Sequence, residues 1–417
     1  LKKNILIKII SLSLLACVLI TVLIHPASEI RIADKDFKVF GWPLEFLILL
    51  FNFASYRLYF DKANNKNFKI LNYYLLYIVF SIIRGIYIAD EYWNYMRVIE
   101  NGLVLLIPVI SYAASNMDIG QSILKYYLKY TLPISLLFIP FISLGWLLIP
   151  LCFFILFLPI LKPHRKIIVI VFSLLIIYMD YIENRSNTIK IIVPFVLLLI
   201  YYLRLLINLK FLEFLRLLFF IIPLVFFTLG VLNIFNVFKM DEYMNKYNIS
   251  VTNKNSKGDI IETDLTDDTR SPLYEEVLQN AKKFDSWILG RSPAHGNESG
   301  IFANSIFEVT KSNERSSNEA AILNAFTWTG TIGVLLYMLV FFLASFLALN
   351  RSKNIFSKML GLYIAFRWFF AWIEDYQSFF INYFFLWILI GFCFSRSFRN
   401  MDDKEMKQWI NFFPSKK

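Results

Sequence analysis

Runs of roughly 20 apolar residues, the length an α-helix needs to cross a bilayer core of about 30 Å, recur along the whole chain. The runs are continuous and do not alternate, which excludes barrel strands. Taken against proline, glycine and charged breakers, they give spans near residues 5–24, 40–58, 70–88, 98–115, 131–145, 146–161, 167–182, 187–203, 217–238, 321–349, 355–373 and 378–394. The expected fold is therefore an all-α polytopic membrane protein of about 12 transmembrane helices. Composition agrees: 58% of the 417 residues are hydrophobic, where soluble domains hold roughly half.

Charge orients the spans. The net charge of +11 sits in short clusters between apolar runs rather than in a stripe or tail, which points to topology and away from nucleic acid. Lys2/Lys3, Arg57/Lys62/Lys66/Lys69, Lys125/Lys129, Lys162/Arg165/Lys166, Arg204/Lys210/Arg216, Arg351/Lys353/Lys358 and the tail after Ser395 all fall on one side when the N-terminus is placed in the cytoplasm. Both termini are then cytoplasmic. The apolar stretch after Lys3 is too long for a signal peptide and lacks a small-x-small site before His25-Pro26, so it reads as the first membrane helix.

One connection breaks the short-loop pattern. Residues 239–320 are polar and fall on the outer side, dividing the chain into 1–238 with nine spans, the 239–320 loop, 321–394 with three spans, and a basic cytoplasmic tail over 395–417. Within the loop, Ser271-Pro272 reads as an N-cap with proline at the first helical position. Glu275 and Glu276 would follow in the first turn, with Leu273, Val277, Leu278, Ala281 and Phe284 at helical spacing. The expectation is a folded, amphipathic subdomain carrying short helices, with 239–268 the more mobile part.

Chemistry is expected at outward arginines near the membrane boundary: Arg84, Arg97, Arg185, Arg270, Arg291 and Arg315. A guanidinium at that depth is costly unless paired or functional, and its planar fork suits phosphate oxygens. Arg270, beside the helix start, stands where free N–H groups favour an anion, unless Asp267 or Asp268 takes it. Glu319, where the chain returns to the membrane, suits proton acceptance from a hydroxyl, or else an i,i+4 bridge to Arg315. His295 reads as part of a surface turn. Arg367, Glu374 and Asp375 are close enough in sequence to pair with one another or line a cavity. Gly330 and Gly333 read as close helix packing and Trp328 as an interfacial ring. Cys17, Cys152 and Cys393 lie in apolar spans without ligand or disulfide spacing, and three histidines make no metal cluster. No nucleotide-binding or hydrolase motif is present.

Three segments resemble the O-antigen polymerase and O-antigen ligase family (Wzy-like and WaaL-like) of bacterial surface polysaccharide synthesis. They are Glu183-Asn-Arg185-Ser-Asn-Thr opening a span; Asp267-Asp-Thr-Arg270 with Tyr274-Glu-Glu-Val and Ile288-Leu-Gly290-Arg-Ser; and Arg315 with Asn318-Glu319, Leu323 and Gly330-Thr-Ile-Gly333. Ligase-type members tend to carry His-Asn where this chain has Glu319-Ala320, so the resemblance tilts toward polymerase. It implies an inner-membrane glycosyltransferase that joins undecaprenyl-pyrophosphate-linked oligosaccharide repeats at the periplasmic face. The transfer would be inverting and metal-independent, without a cofactor. A flippase and a chain-length regulator are implied partners. Glu319, Arg270 and Arg315 would be catalytic, with Arg185, Arg291, Arg97 and Arg84 binding substrate. The competing readings are an O-antigen ligase acting on lipid A-core and a polysaccharide flippase or transporter.

Overall fold

The computed structural model describes residues 3–29, 36–60, 64–138, 144–180, 185–239, 250–254, 260–264, 270–299, 314–374 and 377–412. In chain order the helices are α1 (Lys3–Ser11), α2 (Ser13–Glu29), α3 (Asp36–Tyr59), α4 (Asn65–Ile88), α5 (Tyr92–Leu106), α6 (Ile110–Ala114), α7 (Met117–Tyr126), α8 (Leu132–Leu137) and α9 (Leu148–Leu156). They continue as α10 (Pro163–Asp180), α11 (Arg185–Tyr202), α12 (Leu209–Val231), α13 (Ser271–Lys283), α14 (Ala321–Asn350), α15 (Ile355–Phe370), α16 (Ile381–Phe394), α17 (Arg396–Asn400) and α18 (Asp403–Ile410). Strands are few among the described residues: the hairpin β1 (Ser250–Lys254) with β2 (Ile260–Asp264), and the two-residue pair β3 (Asn297–Glu298) with β4 (Glu314–Arg315).

The fold is predominantly helical, as expected. Among the described residues, five stretches are long and apolar enough to cross a membrane: Asn4–Thr21, Asn65–Ile88, Tyr92–Ala114, Leu209–Val231 and Ala321–Asn350. Gly145–Leu156, Ser186–Tyr202 and Ile381–Phe394 are apolar but shorter, so length and composition give five candidate crossings among the described residues, and twelve are not shown. Burial shows what solvates them. In Leu209–Val231 only 17% of the apolar window is buried. Helix α4 buries Leu71, Tyr74 and Ile78 while exposing Leu76, Phe80 and Ile83 on its other face. A helix apolar on both faces, with one face open, is of the kind that lipid solvates.

At the centre, α14 packs against α4, α12, α15 and α16, and α16 packs also against α6 and α9. The aromatic core is built here: Trp387 stacks on Tyr74 with centroids 6.2 Å apart, and Trp368 stacks on Phe220 at 5.9 Å.

One expectation is revised. The span near 131–145 begins much earlier. Asn116 caps α7, accepting from Asp118 N at 3.1 Å and Ile119 N at 3.3 Å, and a π-helical turn at Tyr127–Thr131 carries the helix into α8. Pro133 has no N–H for the carbonyl four residues back, at Lys129, and the wider turn accommodates the loss. Helix α7 buries Ile119, Ile123 and Leu124 and exposes Lys125, an amphipathic pattern that a search for continuous apolar runs passes over. The tail, on whose structure the residues gave no expectation, carries α17 and α18. Asp402 and Glu405 form a capping box, α18 buries Met406, Trp409 and Ile410, and Gln121 Nε2 donates to Trp409 O at 2.8 Å.

That tail ties the basic loops together. Asn64 Oδ1 accepts from Arg396 N at 2.9 Å, Lys353 N donates to Arg399 O at 2.8 Å, and Asn411 Oδ1 accepts from Lys162 N at 3.1 Å. The loops that charge assigned to one side therefore share one face of the molecule.

Helix α14 is not continuous. Gly330 has φ 65° and ψ −168°, and the helix breaks there. The break frees N–H and C=O groups, and residues 286–291 fill it. Thr331 N donates to Trp287 O at 2.9 Å, Ile332 N to Ile288 O at 3.3 Å, and Arg291 N to Thr327 O at 2.6 Å, while Tyr77 Oη donates to Thr329 O at 2.7 Å. Gly290, with φ +70°, lets the two backbones meet: a Cβ there would lie 2.5 Å from Gly330 N. Gly330 thus serves close packing of a loop against a broken helix, not of helix against helix. Replacing Gly330 by alanine is expected to lower stability by roughly 1–3 kcal/mol or more. Thermal unfolding in detergent should show this against Gly230→Ala, where an added Cβ meets only Phe235 O at 4.0 Å. Equal melting of the two variants would contradict the plugged-break account.

Candidate functional site

Residues 270–299 and 314–320, here called the outer unit after the side expected from charge, are held on the helices by side chains of the expected set. Helix α13 packs through Leu273, Val277 and Ala281, and its Asn280 pairs with the backbone of Glu298, donating to its O at 3.0 Å and accepting from its N at 2.9 Å. Arg84, near the end of α4, donates to the carbonyls of Leu289 and Gly290, both at 2.7 Å. Arg97 donates to Glu314 Oε2 at 2.6 Å and to Glu314 O at 3.2 Å. Arg291 donates to Glu314 Oε1 at 2.7 Å while its guanidinium lies 3.7 Å from the centre of the Phe284 ring. His295 closes the cluster: its Nδ1 is 3.4 Å from Glu314 Oε2. It is a member of an ion cluster rather than an isolated turn residue, its partner lying 19 positions later.

Glu314 is the anion on which this lock depends. Burial alone would push its carboxyl up, but the His295 hydrogen bond and the charges of Arg291 and Arg97 outweigh that and hold it down, at about 2. Arg84, Arg97 and Arg291, expected at the substrate, thus have donors engaged with the chain's own oxygens, in a post joining α4 and α5 to the outer unit.

A second cluster lies where four segments meet: the start of α11, the start of α13, the return toward α14, and the turn after α15. Arg270 is the N-cap of α13, its carbonyl accepting from Leu273 N at 3.0 Å and Tyr274 N at 3.2 Å. Ser271 is the first helical residue and not the cap, because its hydroxyl accepts from Asn236 Nδ2 at 2.5 Å; Glu275 and Glu276 accordingly fall in the second turn. Arg270 Nη1 pairs with Glu319 Oε2, and Arg270 Nη2 lies 3.4 Å from Glu374 Oε2. Glu374 also takes Lys190 Nζ at 3.2 Å and Ser186 Oγ at 2.9 Å, both on Oε1. Charges therefore alternate as Lys190, Glu374, Arg270, Glu319. Exposure rises to 43% for the Glu319 side chain, against 20% for Arg270.

The neighbouring segment adds Arg315, which donates to Glu276 Oε1 at 2.9 Å and Asn318 Oδ1 at 2.6 Å. The i,i+4 bridge from Arg315 to Glu319 is replaced: Arg315 turns to α13, and Glu319 turns to Arg270. Glu276 is positioned for this by Ser299 Oγ, which donates to its Oε2 at 2.8 Å. Glu374 likewise pairs across the bundle, with Lys190 and Arg270, instead of with Arg367 in its own segment. Burial tends to raise the Glu374 carboxyl, and Lys190, Ser186 and Arg270 together bring it below the ordinary range.

Arg185 begins α11, one turn ahead of Lys190, so its backbone stands at this cluster; its side chain is outside the described residues, as are Asp267, Asp268 and Asp375. The expected residues brought together are thus Arg270, Glu319 and, through Asn318, Arg315. Lys190 and the role of Glu374 escaped the sequence. A lysine five positions after Arg185 inside an apolar run was the available signal.

An apolar cavity of about 460 Å³ adjoins the cluster, lined by Phe227, Phe238, Ser271, Tyr274, Trp372 and neighbours. Tyr274 Oη donates to Trp372 O and is thereby held in the wall, where burial pushes its hydroxyl pKa up. A half-buried guanidinium at a helix mouth, beside an apolar chamber, offers charge to an anionic head and dispersion contact to an apolar tail.

The acid sensitivity of the outer unit follows from Glu314. Its folded value is depressed from 4.5 to about 2, so its contribution is complete above about 4.5 and is lost as pH falls through about 2. Proteolysis of the outer unit should accelerate across that window. Glu314→Ala should lower stability at neutral pH by roughly 3 kcal/mol or more, by leaving two guanidinium groups without their carboxylate, and should flatten the acid response. An unchanged acid profile in Glu314→Ala would remove Glu314 as its cause. Comparison of the chain with protein-family models, with curated proteins and with solved structures gives no match.

Proposed function

We propose that the chain is a surface polysaccharide polymerase of the O-antigen type, with twelve crossings, both termini in the cytoplasm and the 239–320 unit in the periplasm. The carrying observation is Arg270, half-buried at the mouth of α13, facing the exposed carboxylate of Glu319 and adjoining an aromatic-lined cavity. That juxtaposition suits a substrate with an anionic head and a long apolar tail. Undecaprenyl-pyrophosphate-linked oligosaccharide, implied by the sequence resemblance, has both.

In this reading the pyrophosphate of the donor displaces Glu319 from Arg270 and is held there by Arg270, with Arg185 and Arg315 adding positive charge. The acceptor hydroxyl attacks the anomeric carbon of the donor sugar. As the new C–O bond forms, the bond to the pyrophosphate oxygen breaks with inversion, and the leaving charge is spread onto the guanidinium. Glu319, released from its pairing, takes the hydroxyl proton. Glu374 holds Arg270 in place from behind, and Lys190 balances Glu374. The activated donor supplies the free energy.

The test is purified protein in lipid discs with lipid-linked repeat units. Arg270→Ala is expected to slow chain extension by roughly 10²–10³, the usual cost of removing one donor to a developing oxyanion. In cells it should leave single repeats where long chains were. Long chains of normal length from a well-expressed Arg270→Ala protein would overturn the assignment. Transfer to a lipid A-core acceptor without extension would instead establish a ligase, and movement of the lipid without bond formation a flippase.

A further inference from the structure

The face carrying the basic loops has a cavity of its own. It measures about 340 Å³ and lies between the α7–α8 helix, α9 and the start of α10. Lys125, Lys129, His164 and Arg165 line it together with apolar residues such as Leu132 and Phe172, and none of its lining residues is acidic. It stands at the Pro163 end of α10, and that 18-residue helix is about 27 Å long at 1.5 Å per residue. The segment after the other end of α10 leads to Ser186 and Lys190, in the Arg270 cluster.

We propose that this cavity holds an anionic phospholipid, its phosphate between Lys125, Lys129 and Arg165 and its first acyl carbons against the apolar wall. Three independent features select that occupant. The first is chemistry: cationic groups at one end and apolar residues through the body match a charged head on a hydrocarbon chain and match neither a sugar nor a soluble anion. The second is access. Ile168 lines the cavity and is half exposed, and it continues along α10 into the exposed Ile167, Val171 and Leu174, so the opening is toward lipid. The third is local backbone. The π-helical turn Tyr127–Thr131 forms one wall and contains Lys129, a wide turn of the kind that recurs at functional sites.

Arg165 is pre-positioned, donating to Ile410 O at 3.2 Å with its guanidinium 4.5 Å from the Phe412 ring centre. The folded tail therefore forms part of the site, and lipid bound there would join tail, α7 and α10. The proposal requires only that these helices sit in lipid and is independent of the polymerase reading.

Native mass spectrometry of the full-length protein, with phosphatidylglycerol and phosphatidylcholine offered in turn, tests it. Wild type is expected to retain phosphatidylglycerol preferentially. The Lys125→Gln/Lys129→Gln variant should lose that preference by roughly fivefold per lysine. Lys210→Gln/Lys353→Gln removes the same charge from exposed positions on the basic face and should keep it. Leu132→Trp, which fills the cavity, should reduce retention of both lipids. Equal retention of the two lipids by wild type, or a preference that survives Lys125→Gln/Lys129→Gln, would overturn the proposal. So would displacement of the lipid by millimolar inorganic phosphate, which would mark a site for a free anion.

Discussion

Backbone N–H and C=O groups must be paired wherever water is absent, and the break at Gly330 makes that requirement govern the outer half of this molecule. A helix interrupted partway along its length exposes several such groups at once. Trp287, Ile288 and Arg291 meet them with their own backbone, so the loop and the helix complete one hydrogen-bond pattern. The outer unit is consequently anchored by bonds that α14 itself needs. Because α14 is also the packing centre for α4, α12, α15 and α16, the position of the outer unit is referenced to the whole helix core.

Arginines around the α13 unit are used in two ways, and the partners decide which. Arg84, Arg97 and Arg291 meet backbone carbonyls or a carboxylate held low by several cations at once, an arrangement that a ligand would have to dismantle. Arg270 meets Glu319, whose carboxylate is the most exposed of its cluster, so exchange for another anion costs less. The same residue type thus builds a post in one place and offers a replaceable counter-ion in another. Geometry at the carboxylate, more than the arginine itself, separates the roles.

Much of this was legible in the residues. The apolar runs announce helices in lipid, the basic clusters group loops that do meet on one face, and Ser271-Pro272 marks the helix of the outer unit to within one position. Arg270 and Glu319 were singled out as neighbours of a site, though not of each other. What escaped had a common character. Helix α7 is amphipathic and short, and its polar face conceals it among loop residues. Lys190 is a single charge in an apolar run. Glu374 lies beyond the end of α15, past Arg367 and in no regular pattern, and its partners come from residues 104 and 184 positions earlier.

Solvation and local backbone preference act on each segment by itself, so the sequence alone determined that the chain is helical, that several helices are long and apolar enough to cross a membrane, and which loops share a face. Ion pairing acts across segments and is decided by which helix ends come together. Whether Glu319 faced Arg315 or Arg270, whether Glu374 faced Arg367 or Lys190, and whether Gly330 sat in a smooth helix or at a plugged break were left to the tertiary structure. The reason is physical: a carboxylate pairs with the nearest cation in space, and packing of apolar faces distant in sequence determines which cation that is.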